Sequence, residues 1–162
     1  VLRRVVPTGD ESVRLRDLFD ASSVKLELAS GTKDEILREL VELVGLDEKS
    51  QAILFKTLKR RENLGSTGIG RRIAIPHCRS LVVNRLRLAY GRKSEGLEFN
   101  SIDGEPVQHF FLIVAPPLEV SNQYLPVLGK IAQFAKEPDV PEKLSQLKSP
   151  EEFLRLLEER AP

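Results

Sequence analysis

Apolar positions along the chain repeat with two periods. Val24-Lys-Leu-Glu-Leu28 alternates apolar and charged residues, as does Arg85-Leu-Arg-Leu-Ala-Tyr90. That is the period of a half-buried strand. Val107-Gln-His-Phe-Phe-Leu-Ile-Val114 is apolar almost throughout. Such a run suits a strand covered on both faces, so it is expected at the centre of a sheet with helices on each side. Ile36, Leu37, Leu40, Val41 and Val44 make one helical face, opened by the capping pair Thr32 and Glu35 and closed by Gly45. Asp47 caps a second helix whose apolar positions are Ile53, Leu54 and Leu58, with Phe55 on the flank. It ends in Lys56, Lys59, Arg60 and Arg61, where the partial negative charge of a helix C-terminus favours cations. A third helix is expected from Ser121 or Asn122, with Pro126 in its first turn and Val127, Leu128, Ile131, Ala132, Phe134 and Ala135 facing inward. Pro138 and Pro141 punctuate a short helix to about Leu147. Ser149-Pro150-Glu151-Glu152 then opens the last one, apolar at Phe153, Leu154, Leu156 and Leu157. Val13 to Phe19 carries a weaker signal for a short helix, and Glu95-Gly96 and Asp103-Gly104 read as turns. Strand, two helices, strands, then helices is the order of an α/β domain.

At 162 residues the chain is most simply one domain, residues 15–162, preceded by a polar, flexible arm over residues 1–14. A formal net charge of +1 argues against a general nucleic-acid binder, whose affinity comes from neutralising phosphates. No run approaches the eighteen apolar residues of a membrane span. The single cysteine, Cys78, allows no intrachain disulfide and suits a reducing cytoplasm.

The chemistry concentrates between Arg61 and Arg79. Gly65, Gly68 and Gly70 surround Ser66 and Thr67, and Ile73-Ala74-Ile75 leads into Pro76-His77. No Lys-Ser/Thr follows the glycines, so this is no Walker loop. Gly68-x-Gly70 also lacks the third glycine of a dinucleotide fingerprint. The glycines are therefore expected to shape a loop against His77, the side chain best suited to accept and release a group near neutral pH. His109, inside the apolar run, is expected to be buried and hydrogen bonded rather than part of a site.

Arg61-Glu62, Gly65-Ser66-Thr67-Gly68-Ile69-Gly70 and Ile73-Ala74-Ile75-Pro76-His77 together resemble the enzyme IIA domain of the mannitol, fructose and nitrogen-regulatory branch of the bacterial phosphotransferase system. The resemblance extends more weakly from about Leu15 to the C-terminus, through Ile102-Asp103-Gly104-Glu105-Pro106-Val107 and Ile113-Val114-Ala115-Pro116. It implies a three-layer α/β/α sandwich with a small mixed sheet between helices. It also implies that His77 takes a phosphoryl group from the carrier protein HPr, in chemistry that needs neither metal nor nucleotide cofactor. Arg61 would supply a forked positive donor to the phosphoryl oxygens, and Ser66 and Thr67 neutral ones, with Thr67 open between that role and a turn-stabilising hydroxyl.

The chain departs from that family at Arg72 and Cys78, where small residues are common, and at Tyr124, which falls where the family has a second histidine. Tyr124 is expected beside His77 at a helix N-terminus. Cys78 is expected as a small filler, and Arg71 and Arg72 either as solvated charges or, with Arg79, as a positive rim. The phrase Gly-Ser-Thr-Gly-Ile-Gly lies closest to the nitrogen-regulatory branch. The chain also stops soon after the last helix. Both favour a carrier that regulates a downstream partner over one that feeds a sugar permease. The alternatives are a fructose- or mannitol-type transport component acting on a IIB domain, and a binding module of the same fold that passes no phosphate.

Overall fold

The computed structural model describes residues 14–161. The expectation of an N-terminal arm concerns residues outside this range, apart from Arg14. A 3-10 turn over Leu15–Leu18 and another over Ala21–Ser23 lead into β1, Val24–Lys25. Helices α1 (Lys33–Glu42) and α2 (Glu48–Leu64) follow, then β2 (Gly68–Gly70), β3 (Ile73–Ala74), β4 (His77–Arg79), β5 (Arg87–Leu97) and β6 (Val107–Ala115). Helices α3 (Tyr124–Lys136), α4 (Val140–Ser145) and α5 (Pro150–Arg160) complete the chain. The sheet runs β1-β5-β6-β3-β2, with β4 also on β6.

β6 is the axis of the domain. It pairs antiparallel with β5 on one side and parallel with β3 and β4 on the other, which makes the sheet mixed. Its side chains alternate between two cores. Phe110, Leu112 and Val114 meet Leu37, Leu40, Leu54 and Leu58 of α1 and α2. Phe111, Ile113 and Ala115 meet Val127, Ile131, Leu144, Phe153 and Leu157 of α3, α4 and α5. The chain is thus a three-layer α/β/α sandwich, and the apolar run reads as it does because both faces of β6 are covered.

Several local expectations change. Phe55 of α2 is buried and Ile53 is 44% exposed, so their places on the helix are exchanged. Val24–Leu28 pairs regularly only at Val24 and Lys25, although Leu28 N–H still reaches Arg92 O at 2.7 Å. Glu95-Gly96 does not end a strand. It lies within β5, where the pairing to β6 shifts register between Arg92 and Leu97 and Gly96 takes φ +81°, a bulge that glycine accommodates. α3 starts at Tyr124, a little later than expected, with Pro126 still in its first turn.

The glycine stretch is a hairpin. β2 and β3 are antiparallel and joined through Arg71 and Arg72, at φ 58° and 68°. Positive φ at both central residues marks a type I′ turn, which normally selects Asn-Gly. Gly68 and Gly70 do not shape a loop against His77. A Cβ on Gly68 would lie 2.8 Å from Ser101 and one on Gly70 3.2 Å from Asp103, so these glycines let the hairpin lie against the 99–105 segment. Nor do Arg71 and Arg72 form a rim with Arg79. The Arg71 guanidinium donates to Ala135 O at 2.7 Å and Glu137 O at 2.8 Å, which caps the C-terminus of α3. Arg72 lies 3.8 Å from Glu105.

His109 is buried, as expected. Its Nδ1 meets the Tyr90 hydroxyl at 2.8 Å. Burial, with Arg92 nearby, pushes its pKa down to about 4.

Two predictions follow from these contacts. Arg72→Gly should raise unfolding stability by about 0.5–1 kcal/mol, because left-handed backbone costs a bulky residue more than glycine loses in chain entropy. The exposed Arg72–Glu105 pair contributes too little to offset this. Urea titration of both proteins measures it. For His109 the native pKa lies below the unfolded value near 6.5. The unfolded chain therefore binds the proton first, and stability falls as pH drops from about 6.5 to about 4. The loss is about 3 kcal/mol and levels off below that window. The His109 ring resonances should remain those of a neutral imidazole at pH 5.5, where NMR would show an ordinary histidine largely protonated.

Candidate functional site

β3 and β4 are one strand interrupted by Ile75-Pro76. Ile73 pairs with His109 and His77 with Ile113, the same offset on both sides of the break. Pro76 has no N–H for the ladder, but its carbonyl still accepts Ile113 N–H at 3.0 Å. His77 therefore begins β4 in a position set by β6, beside the C-terminal end of α2 and the N-terminal end of α3.

There it lines an open hollow of about 370 Å³. Arg61, Arg79 and Tyr124 contribute its polar and aromatic wall, and Leu64, Leu125 and Leu128 its apolar side. His77 is half-buried, and its Nδ1 lies 2.6 Å from Ile75 O. A carbonyl only accepts, so Nδ1 carries the proton and Nε2 keeps its lone pair. Burial lowers the imidazole pKa. The Ile75 carbonyl and Glu62 act in the opposite direction, and Arg61 adds to the lowering. The net result is a neutral ring at pH 7 with one nucleophilic nitrogen.

Arg61, in the last turn of α2, donates from Nη1 to Gly65 O at 2.8 Å while lining the hollow. It is thus both a C-terminal cap and a cation at the site. Tyr124 opens α3, its ring centre 6.0 Å from that of His77. Burial and the neighbouring Cys78 push its phenol up to about 12, with Arg79 and Arg61 pulling the other way, so it remains a neutral donor. Arg79 stacks over the Tyr124 ring at 4.8 Å and donates from Nη1 to Pro116 O at 2.6 Å and Ser121 O at 3.3 Å. Cys78 points into the α1–α2 core, and burial raises its thiol pKa to about 12, which leaves it an unreactive filler.

The expected hydroxyl donors lie elsewhere. Ser66 Oγ donates to Phe99 O at 2.6 Å. Thr67 is buried, and its hydroxyl donates to the Glu62 carboxylate. With those protons committed, neither hydroxyl is turned toward the hollow. Glu62 itself drew no attention in the sequence beyond its place in the motif. The available signal was its position, an acid in the last turn of a helix that otherwise ends in cations.

Comparison with known proteins places the family and the fold. Residues 17–160 match the family model for the phosphoenolpyruvate-dependent sugar phosphotransferase system, EIIA 2. The chain belongs to that family. It is 31% identical over 134 residues to a nitrogen regulatory protein of Bradyrhizobium diazoefficiens, covering 80% of this chain and 85% of that one. It is 25% identical over 147 residues to the fructose-specific EIIABC component of Bacillus subtilis, covering 90% of this chain but only 23% of that longer protein. The crystal structure of the nitrogen regulatory protein IIA-Ntr from Neisseria meningitidis superposes with a TM-score of 0.77 at 29% identity, covering 88% of this chain and 98% of that one. The EIIA 2 domain described here has no helix among the described residues long and apolar enough to cross a membrane.

The electrostatics of the site predict a titration. The His77 ring should titrate below the ordinary value near 6.5. Arg61→Ala should move its midpoint upward, because the guanidinium opposes protonation. NMR of the imidazole follows both, and an unchanged midpoint in the variant would place Arg61 out of electrostatic reach.

Proposed function

We propose that this EIIA 2 domain is a phosphoryl carrier that accepts phosphate from phospho-HPr on Nε2 of His77. One observation carries the reading: the His77–Ile75 hydrogen bond, which leaves Nε2 unprotonated on a ring that lines a hollow together with Arg61 and Arg79. In the transfer, the Nε2 lone pair attacks phosphorus, the P–N bond to the histidine of HPr breaks, and that nitrogen keeps the electron pair. Nδ1 keeps its proton. As the phosphorylated ring gains positive character, its N–H becomes a stronger donor to Ile75 O. Arg61 and the Tyr124 hydroxyl are the donors proposed for the phosphoryl oxygens, whose charge they would stabilise in the transition state. Thr67, with its hydroxyl held by Glu62, acts in this proposal by shaping the hairpin.

The regulatory type is favoured by the similarity to nitrogen regulatory proteins of B. diazoefficiens and N. meningitidis. In this reading, cytoplasmic carrier and target meet at the His77 surface, and phosphorylation decides which target is held. The similarity to the fructose-specific component of B. subtilis favours a second reading, transfer onward to a IIB domain.

Incubation with phosphoenolpyruvate, enzyme I and HPr should add one acid-labile phosphoryl group, measurable by mass spectrometry. His77→Ala should abolish it. Labelling of that variant as fast as the parent would refute the site. Addition of a sugar-specific IIB distinguishes the two types, since rapid loss of the phosphoryl to the IIB cysteine would support the transport reading over the regulatory one.

A further inference from the structure

Glu62 is an unusual residue for its place. It lies in the last turn of α2, where the helix dipole disfavours a negative charge, and its side chain is only 3% exposed. A carboxylate held there needs compensation, and three groups supply it. Lys33 Nζ approaches to 3.0 Å. Thr67 N–H donates to both carboxylate oxygens at 3.2 Å, and the Thr67 hydroxyl donates to Oε1. Lys33 is itself fixed by Phe99, with its ammonium 3.4 Å from the carbonyl and 4.3 Å from the ring centre.

The network does not end at Thr67. Thr67 O accepts Ile75 N–H at 3.0 Å, and Ile75 O accepts His77 Nδ1–H at 2.6 Å. We infer that Glu62 is a positioning residue for His77: anchored by Lys33, its carboxylate fixes Thr67, and through Ile75 it holds the imidazole in the tautomer that presents Nε2. The inference rests on His77 being the phosphoacceptor.

The arrangement explains why a buried carboxylate, paired with the half-buried Lys33, is built beside a glycine-rich stretch. Residues Gly65 to Gly70 carry little side-chain packing of their own, and Ile75-Pro76 interrupts β3 and β4. Without an anchor, the Ile75 carbonyl has freedom to turn, and the ring would exchange tautomers. A small change of direction at the nucleophile is costly because transfer needs nitrogen and phosphorus in line. Glu62 also acts directly, since its negative charge favours protonation of His77, against Arg61.

The test uses 15N NMR of the His77 imidazole in the unphosphorylated protein at neutral pH. The parent should show a single tautomer, protonated at Nδ1. Glu62→Gln keeps the shape but removes the charge, leaves Lys33 without its counterion and cannot accept all three hydrogen bonds. It should populate the Nε2–H tautomer, lower the His77 titration midpoint and slow phosphoryl acceptance from HPr 10- to 100-fold. Thr67→Val should shift the tautomer in the same direction and Thr67→Ser should restore it, a pair that carries the test if Glu62→Gln does not fold. An unchanged tautomer in both Glu62→Gln and Thr67→Val overturns the inference, whatever the rates. Absence of phosphorylation in the parent overturns instead the reading of His77 as acceptor, and the tautomer result stands apart from it.

Discussion

The pairing of β6 with a strand broken by proline underlies everything else in this domain. β6 is sealed on both faces, so a one-residue slip would turn its whole apolar set over. That register extends unchanged to β3 and β4, and it carries the chain past Pro76 without losing its place. The proline removes one donor from the ladder at the position before His77. The strand thus contributes rigidity up to the site, and at the site leaves a carbonyl free to hold the ring. A continuous strand would bury the residue at this position in ladder and core. A loop would let it wander.

Electrostatics then set what the histidine can be. Burial and Arg61 act against its protonation, and Glu62 and the Ile75 carbonyl act for it. The outcome is a neutral nucleophile between helix ends of opposite polarity, the C-terminus of α2 and the N-terminus of α3. The second aromatic position is occupied by Tyr124, whose phenol stays protonated through the physiological range. Arg79 lies on that ring.

Much of this was legible in the chain because it rests on local chemistry. The caps at Thr32, Asp47 and Ser149 each accept the backbone N–H expected of them. The unbroken apolar run marked β6, and the glycine-to-Pro-His block marked the family and brought Arg61, His77 and Tyr124 to notice. Much of what escaped depends on contacts distant in sequence. The glycines suggested a loop around His77, but what they accommodate is the 99–105 segment, which no spacing near residue 68 reveals. Arg71 and Arg72 looked like free charges, yet one caps α3 more than sixty residues on. Thr67 looked like a donor to a phosphoryl group because its partner, Glu62, sits on the other side of a helix end. Ile53 and Phe55 exchanged places because both lie near the edge of the α2 stripe, where a small rotation decides which is covered.

The surface around the site explains how one charge could change a partner. Leu64 and Leu125 are 83% and 70% exposed at the hollow's edge, and Leu118 and Val120 are exposed on the segment leading into α3. A protein that covers such leucines gains from excluding water. With His77 neutral, nothing in that act buries an unpaired anion. A phosphoryl on Nε2 would bring about two negative charges into the same area. Any partner covering it must then complete the pairing that Arg61 begins or take the group away, because a desolvated anion left partly unpaired outweighs the burial of a few methyl groups. The apolar rim and the reactive nitrogen share one hollow, so contact and charge cannot be read separately there.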